Sequence, residues 1–274
     1  MSGFWVTLEF ITAFLVIAVA GSQLSRWGDV IGRKTRLGGT WVGLVLLATV
    51  TSLPELITAM SAVGLAETAD IAVGTILGSC VFNLMILVIL DFLLGAESMF
   101  SRVSNSHLLS AGFGLILIGL VGMNLMFDHT DDAFSFGSVG LATPLIVVIY
   151  VMAVRSVYLR ELPLNGADQE PAPFLKDTDV PMITVYIRFA IAAVVVVAAG
   201  LWLPFVGERM SISMGIHETF IGTFFIAFAT SVPEMVVAIA ALRIGAPNMA
   251  LSNLLGSNLF NILILVPADL LFVQ

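Results

Sequence analysis

Long apolar runs alternate with short polar breaks along the whole chain. The runs fall near 4–24, 40–64, 69–94, 107–126, 138–158, 183–206, 217–242 and 247–272. None shows the period of two expected of a barrel strand. At 1.5 Å rise per residue, a helix crosses a hydrocarbon core of about 30 Å in roughly 20 residues, and each run is at least that long. Helices also satisfy their own backbone polar groups within a single crossing. The pattern therefore predicts an all-α polytopic membrane protein with eight transmembrane helices. Composition agrees: 59% of residues are hydrophobic, 11% are charged, and the mean hydropathy is +1.06, more apolar surface than a soluble domain can bury.

The basic residues orient these spans. With the N-terminus outside, ten of the eleven Lys and Arg residues fall on the inner side, and only Arg209 falls outside, as the positive-inside rule requires. The expected outer loop 127–132 carries Asp128, Asp131 and Asp132 and no basic residue. The first apolar run lacks a positive leader and carries Glu9, so it reads as a retained span and not a cleaved signal. The polar stretch from Arg155 to Pro181 holds four prolines and reads as a cytoplasmic linker. The expected organisation is a first membrane half over 1–158 with five spans, a linker over 159–182, and a second half over 183–274 with three spans.

Two stretches of the chain repeat each other. Residues 41–64 align with 220–243 with eight identities, and 70–91 align with 248–269 with ten. The shared residues are mostly small or polar, which chance similarity between apolar helices would not select. The repeat units span 40–94 and 217–272. They begin at the second and seventh spans, an odd number apart, so the two copies cross the membrane in opposite directions. This is an inverted-topology repeat, the architecture that places a binding site between two halves.

Each copy carries two polar signatures. The first reads Thr51-Ser52-Leu53-Pro54-Glu55 and Thr230-Ser231-Val232-Pro233-Glu234. The second reads Gly78-Ser79-Cys80-Val81-Phe82-Asn83 and Gly256-Ser257-Asn258-Leu259-Phe260-Asn261. A carboxylate at mid-membrane is expensive and marks a functional site by default; no basic residue in any span is placed to pair with either one. Each proline lacks an N–H and should break its helix, leaving carbonyl oxygens free near Val50 and Ala229. Thr51 and Glu55, Ser79 and Asn83, and Ser257 and Asn261 are each four apart and share a helix face. Together the segments offer Glu55, Glu234, Asn83, Asn261, Thr51, Thr230, Ser52, Ser231, Ser79 and Ser257. This all-oxygen set suits Ca²⁺ or Na⁺ and suits copper or zinc poorly.

Other residues change the picture little. Asp91 and Asp269 read as helix-end contacts, Glu9 as interfacial, and Cys80 as packing. His107, His129 and His217 lie at span edges or in loops. One cysteine excludes a disulfide framework, and a net charge of −8 without a basic cluster excludes nucleic-acid binding.

At these signatures the chain resembles the cation/calcium exchanger superfamily, the sodium/calcium antiporters, which carry G-T-S-x-P-E and G-S-N-x-x-N/D motifs in inverted orientation. The resemblance implies two five-helix halves with a cluster of cation sites between the repeats. It implies Glu55 and Glu234 as central ligands, the hydroxyl and amide residues above completing the sites, and carbonyls near Ala48 and Ala227. It further implies exchange of Na⁺ for Ca²⁺ by alternating access, with sliding of the first and sixth helices opening either side. Ca²⁺ and Na⁺ are then the transported ions, and no cofactor is implied. The chain departs from the family pattern in several places. Cys80 replaces an Asn, Val50 and Ala229 stand where Gly is common, and Asn261 stands where some members have Asp. The family usually has ten spans and this sequence ends after the eighth expected one, so the chain is either short by nature or truncated. With three spans in its second half, the helix of Glu234 is expected to lie open to lipid or to a partner subunit.

The leading function is a Na⁺/Ca²⁺ antiporter. A proton-coupled exchanger is the alternative, with the same glutamates alternating between protonated and metal-bound forms. A channel or an intramembrane hydrolase would represent a different class; the hydrolase would need a nucleophile or a His-containing metal triad, which the spans lack. The absence of a large regulatory loop points to a prokaryotic cytoplasmic membrane, and the sequence leaves the oligomeric state open.

Overall fold

The computed structural model describes residues 3–66, 69–94, 106–127, 135–136, 139–140, 142–164, 180–213 and 227–272. They form α1 Gly3–Thr35, α2 Gly39–Trp41, a π-helical segment Val42–Leu47, α3 Ala48–Thr51 and α4 Leu53–Ala66. These are followed by α5 Ala69–Leu94, α6 Ser106–Phe127, α7 Ala142–Leu164, α8 Met182–Ser213, α9 Val232–Arg243 and α10 Pro247–Phe272. Among the described residues, six helices are long and apolar enough to cross a membrane, and the bent pair Gly39–Thr51 and Leu53–Gly64 makes a seventh if it is counted as one span. The seventh expected span, 217–242, is described only from Ala227, and its first ten residues lie outside the described residues. The span expected over 138–158 starts later, at Ala142. Val139–Gly140 instead pairs antiparallel with Ser135–Phe136.

The first helix also outruns its expected end at residue 24. Beyond that point Trp27, Val30 and Ile31 are buried in a cluster with Val185 of α8. The charges there are accommodated locally. Arg33 pairs with Asp29 one turn back at 2.9 Å, and the guanidinium groups of Arg26 and Arg188 lie 5.2 and 4.7 Å from the Trp27 ring centroid. Arg33 and Lys34 in the last turn suit the negative end of the helix dipole. Arg36 (φ 58°) and Gly38 (φ 76°) then turn the chain into α2. At the opposite end, Glu9 of α1 bonds Arg209 of α8 at 2.5 Å, so these two long helices are joined at both ends. The outer stripe Phe4, Leu8, Ile11, Leu15 and Val19 is exposed, at the spacing of a lipid-facing helix surface.

α10 is the hub of the bundle. α10 packs against the π-helical segment and against α4, α5, α6, α7 and α9. From Met249 to Leu259 every α10 residue is buried. Two glycines bring it against the second span. A Cβ on Gly43 would overlap the Met249 carbonyl oxygen, and one on Gly256 would overlap the Leu44 carbonyl oxygen. Side chains hold the rim of the bundle. His107 at the start of α6 bonds Asn248 at 2.9 Å and Ser252 at 3.4 Å. Thr143 donates to Asp269 at 2.5 Å, tying α7 to the end of α10. Glu161 near the end of α7 accepts from the Trp41 N–H at 3.2 Å, which satisfies one of the free donors at the start of the second span.

The helix of Glu234 is enclosed, not open to lipid. In α9, Val232, Pro233, Glu234, Val236, Val237, Ala238, Ala240 and Ala241 are buried. The sequence reading left out α1, which covers this helix. Gly21 of α1 lies against Val236 and Val237, and the Ser25 hydroxyl donates to the Val237 carbonyl at 2.8 Å.

Candidate cation site

Both Thr-Ser-x-Pro-Glu signatures break their helices at the serine. Ser52 has φ −89°, ψ 5° at the end of α3, and the helix axis bends by 42° into α4. Ser231 has φ −84°, ψ 0° and caps α9. Each proline thus falls in the first turn of a new helix, where its missing N–H costs nothing. Glu55 and Glu234 consequently lie in the first turns of α4 and α9. A carboxylate there meets the positive end of the helix dipole and free N–H groups. That arrangement offsets part of the cost of placing charge in an apolar interior. Gly200 of α8 lies beside both breaks, since a Cβ there would fall 2.8 Å from Cγ of Pro54 and 3.2 Å from Cγ of Pro233.

The four signatures converge. Thr51, Ser52, Glu55, Ser79, Asn83, Thr230, Ser231, Glu234, Ser257 and Asn261 are all buried, as are Ala48 and Ala227. Hydroxyl pairs join one copy to the other: Thr51 to Ser257 and Ser79 to Thr230, each at 3.4 Å. The threonines also donate to carbonyls three residues back, Thr51 to Ala48 at 3.3 Å and Thr230 to Ala227 at 3.1 Å. These two carbonyls additionally accept the N–H of Ser52 and of Ser231, so each keeps its helical bond while facing a motif hydroxyl. Ser79 and Thr230 flank Glu55, and Ser52, Thr51 and Ser257 flank Glu234.

The symmetry is broken at the carboxylates. Ser52 donates to Oε1 of Glu234 at 2.9 Å, whereas the matching Ser231 hydroxyl is buried without a partner. Both oxygens of Glu55, Oε2 of Glu234, Oδ1 of Asn83 and both side-chain atoms of Asn261 are likewise buried and unpaired. Buried polar atoms are nearly always paired, and each exception costs about 1–3 kcal/mol. Here the exceptions crowd into one place, and most are acceptor oxygens. Such a cluster is matched by a species that only attracts oxygens, namely a hard cation. Among the described residues, no group of three or more His, Cys, Asp and Glu side chains is placed to hold a metal ion. Any cation here would be held by two carboxylates with neutral oxygens.

Residues 5–157 and 184–274 match the sequence pattern of the family described as sodium/calcium exchanger protein. The chain belongs to that family. Inner membrane protein YrbG of Escherichia coli (strain K12) is 25% identical over 264 residues, 95% of this chain and 78% of that protein. The putative antiporter CaxA of Alkalimonas amylolytica is 25% identical over 272 residues, 94% of this chain and 78% of its own length. The solved sodium/calcium exchanger from Methanococcus jannaschii has the same fold, with a TM-score of 0.69 at 19% identity, over 97% of this chain and 82% of that one. The family is one of transporters, not enzymes, and this member is an integral membrane protein.

Two residues of this exchanger-family chain have contacts at the site that the sequence did not assign: Asn258, which stands within the second signature, and Asn253. Asn258 accepts from Nδ2 of Asn83 at 3.0 Å, and its main-chain oxygen faces Sγ of Cys80 at 3.9 Å. Asn253 reaches the main chain of Glu234. Both were detectable as asparagines on the buried helix that carries Ser257, Asn258 directly after it and Asn253 one turn before.

Proposed function

We propose that this protein is a secondary antiporter that exchanges Na⁺ for Ca²⁺ by alternating access. In this reading Glu55 and Glu234 are the shared ligands. Thr51, Thr230, Ser52, Ser231, Ser79, Ser257, Asn83 and Asn261 complete the cation sites together with carbonyls at Ala48 and Ala227. The observation that carries the proposal is the pair of fully buried glutamates, three of whose four carboxylate oxygens lack a donor. Two such charges cannot both persist in an apolar interior without a compensating cation. One Ca²⁺ neutralises the pair, and Na⁺ competes for the same oxygens. The protein can then change its facing only when loaded, because carrying bare carboxylates through the barrier is prohibitive, and this enforces exchange over leak.

The proposal includes an N-terminus on the outer side, halves over 1–158 and 183–274 joined by a linker over 159–182, and a prokaryotic cytoplasmic membrane. The distribution of Lys and Arg supports the orientation.

Uptake of ⁴⁵Ca²⁺ into proteoliposomes preloaded with Na⁺ tests the function. Accumulation is expected with an outward Na⁺ gradient and not in Na⁺-free vesicles. Uptake in acid-loaded vesicles alone would replace Na⁺ by H⁺ as the coupling ion, and uptake without any counter-ion would identify a channel.

The unequal serines give a finer test. Ser52 holds a carboxylate and Ser231 does not. Hydrogen bonds to charged groups contribute about 1.5–3 kcal/mol. Ser52→Ala is therefore expected to weaken Ca²⁺ binding by about tenfold or more, and Ser231→Ala by clearly less, in parallel titrations of the purified variants. Equal losses would contradict the asymmetry.

A further inference from the structure

The polar face of α10 extends one turn beyond the motif residues. Asn253, Ser257 and Asn261 follow at intervals of four and so share one side of the helix. Asn253 is 0% exposed, and its Nδ2 donates to the main-chain oxygen of Glu234 at 3.3 Å. A carbonyl can only accept, so this bond settles which end of the amide is which. The amide oxygen is then left as a buried acceptor without a donor, the same condition as Oδ1 of Asn261 and the oxygens of Glu55. Nothing in the first copy corresponds to it. The matching position there is Thr75, also buried, so the first copy carries no amide at this level. A helix-to-helix hydrogen bond alone would account for Nδ2 but not for a fully enclosed, unpaired Oδ1.

We propose that Asn253 is a further cation-binding residue of the site, with Nδ2 holding the main chain at Glu234 and Oδ1 ligating a hard cation. The inference rests on the cation-site reading given above. It makes the second repeat richer in neutral oxygen ligands than the first, on the side of Glu234 that faces the start of α10.

The test titrates purified protein in detergent with CaCl₂ and, separately, with NaCl by calorimetry, and records ion-free thermal unfolding alongside. Asn253→Thr installs the first-copy residue and keeps a donor for the Glu234 carbonyl, while Asn253→Leu removes both amide functions at similar volume. Glu234→Gln is the reference. Asn253→Thr is expected to unfold near the wild-type temperature yet bind Ca²⁺ about tenfold more weakly, the scale of one lost bond to a charged species. Asn253→Leu should lose at least as much affinity. If it fails to fold, Asn253→Thr decides the matter alone. Affinities for both ions within about twofold of wild type in a folded Asn253 variant would reduce this residue to a helix-packing contact. Unchanged binding in Glu234→Gln would overturn the cation-site reading itself, and this proposal with it.

Discussion

Replacing either Glu55 or Glu234 by glutamine is expected to abolish Na⁺-dependent Ca²⁺ uptake while leaving the bundle assembled. Both side chains are 0% exposed, in the first turns of two helices whose prolines both lie beside Gly200. Glutamine keeps the shape and removes one negative charge. Without bound ions the variant sheds a buried, uncompensated charge, so its ion-free stability should equal or exceed that of wild type. With Ca²⁺ present the balance reverses, because the cation then faces one carboxylate. Breaking a buried ion pair costs about 3–5 kcal/mol, a loss of affinity of roughly 150-fold to several thousandfold. Uptake in proteoliposomes, Ca²⁺ titration and thermal unfolding with and without Ca²⁺ check this together. Normal uptake in either variant would remove that glutamate from the transport site.

The second large effect is expected from a single methyl group at Gly256. A Cβ at that position would overlap the Leu44 carbonyl oxygen and lie 2.7 Å from Leu44 Cα and 2.9 Å from Ala48 Cβ. Two of these three atoms are backbone, so no side-chain rotation relieves the overlap. Overpacking of this kind costs about 1–3 kcal/mol or more, and the relief available is to push α10 away from the π-helical segment. Ser257 is the next residue and pairs with Thr51 across that contact, so the displacement would open the site as well as weaken the fold. Gly256→Ala should therefore lower the unfolding temperature and eliminate uptake. Gly74→Ala in α5 is the control, since a Cβ there meets nothing within 4 Å and helix propensity favours Ala by about 1 kcal/mol. Similar behaviour of the two variants would contradict the close approach seen at Gly256.

The sequence made the spans and the two repeated signatures conspicuous because a Pro-Glu pair has no ordinary place in an apolar run. Comparing the copies brought the motif residues into one set, and the structure buries them together. The same comparison was blind to what only one copy contains. Asn253 and Asn258 face Thr75 and Cys80 in the alignment, so a search for identities passed over both. Hydropathy ended the first helix too early because Arg26, Asp29 and Arg33 count as polar. In the structure their charges are taken up by an aromatic ring and by each other. The π-helical segment Val42–Leu47 has no local signature. It lies where Gly43 is pressed against the Met249 carbonyl, a contact between residues two hundred positions apart.

The cross-pairing of hydroxyls between copies also sets an order of events during biosynthesis. Glu55 is flanked by Thr230, and Thr51 bonds Ser257. A ribosome adding 5–20 residues per second makes these partners roughly ten to forty seconds after the second span. For that interval the first half sits in the bilayer with a glutamate that has Ser79 beside it but not yet Thr230. A carboxylate so placed is tolerated while it is protonated or reached by water, and the arrival of α9 and α10 removes the water. α10 is therefore the helix that closes the interior, and a nascent chain stalled before it would present quality-control proteases with a polar membrane helix that has no partner.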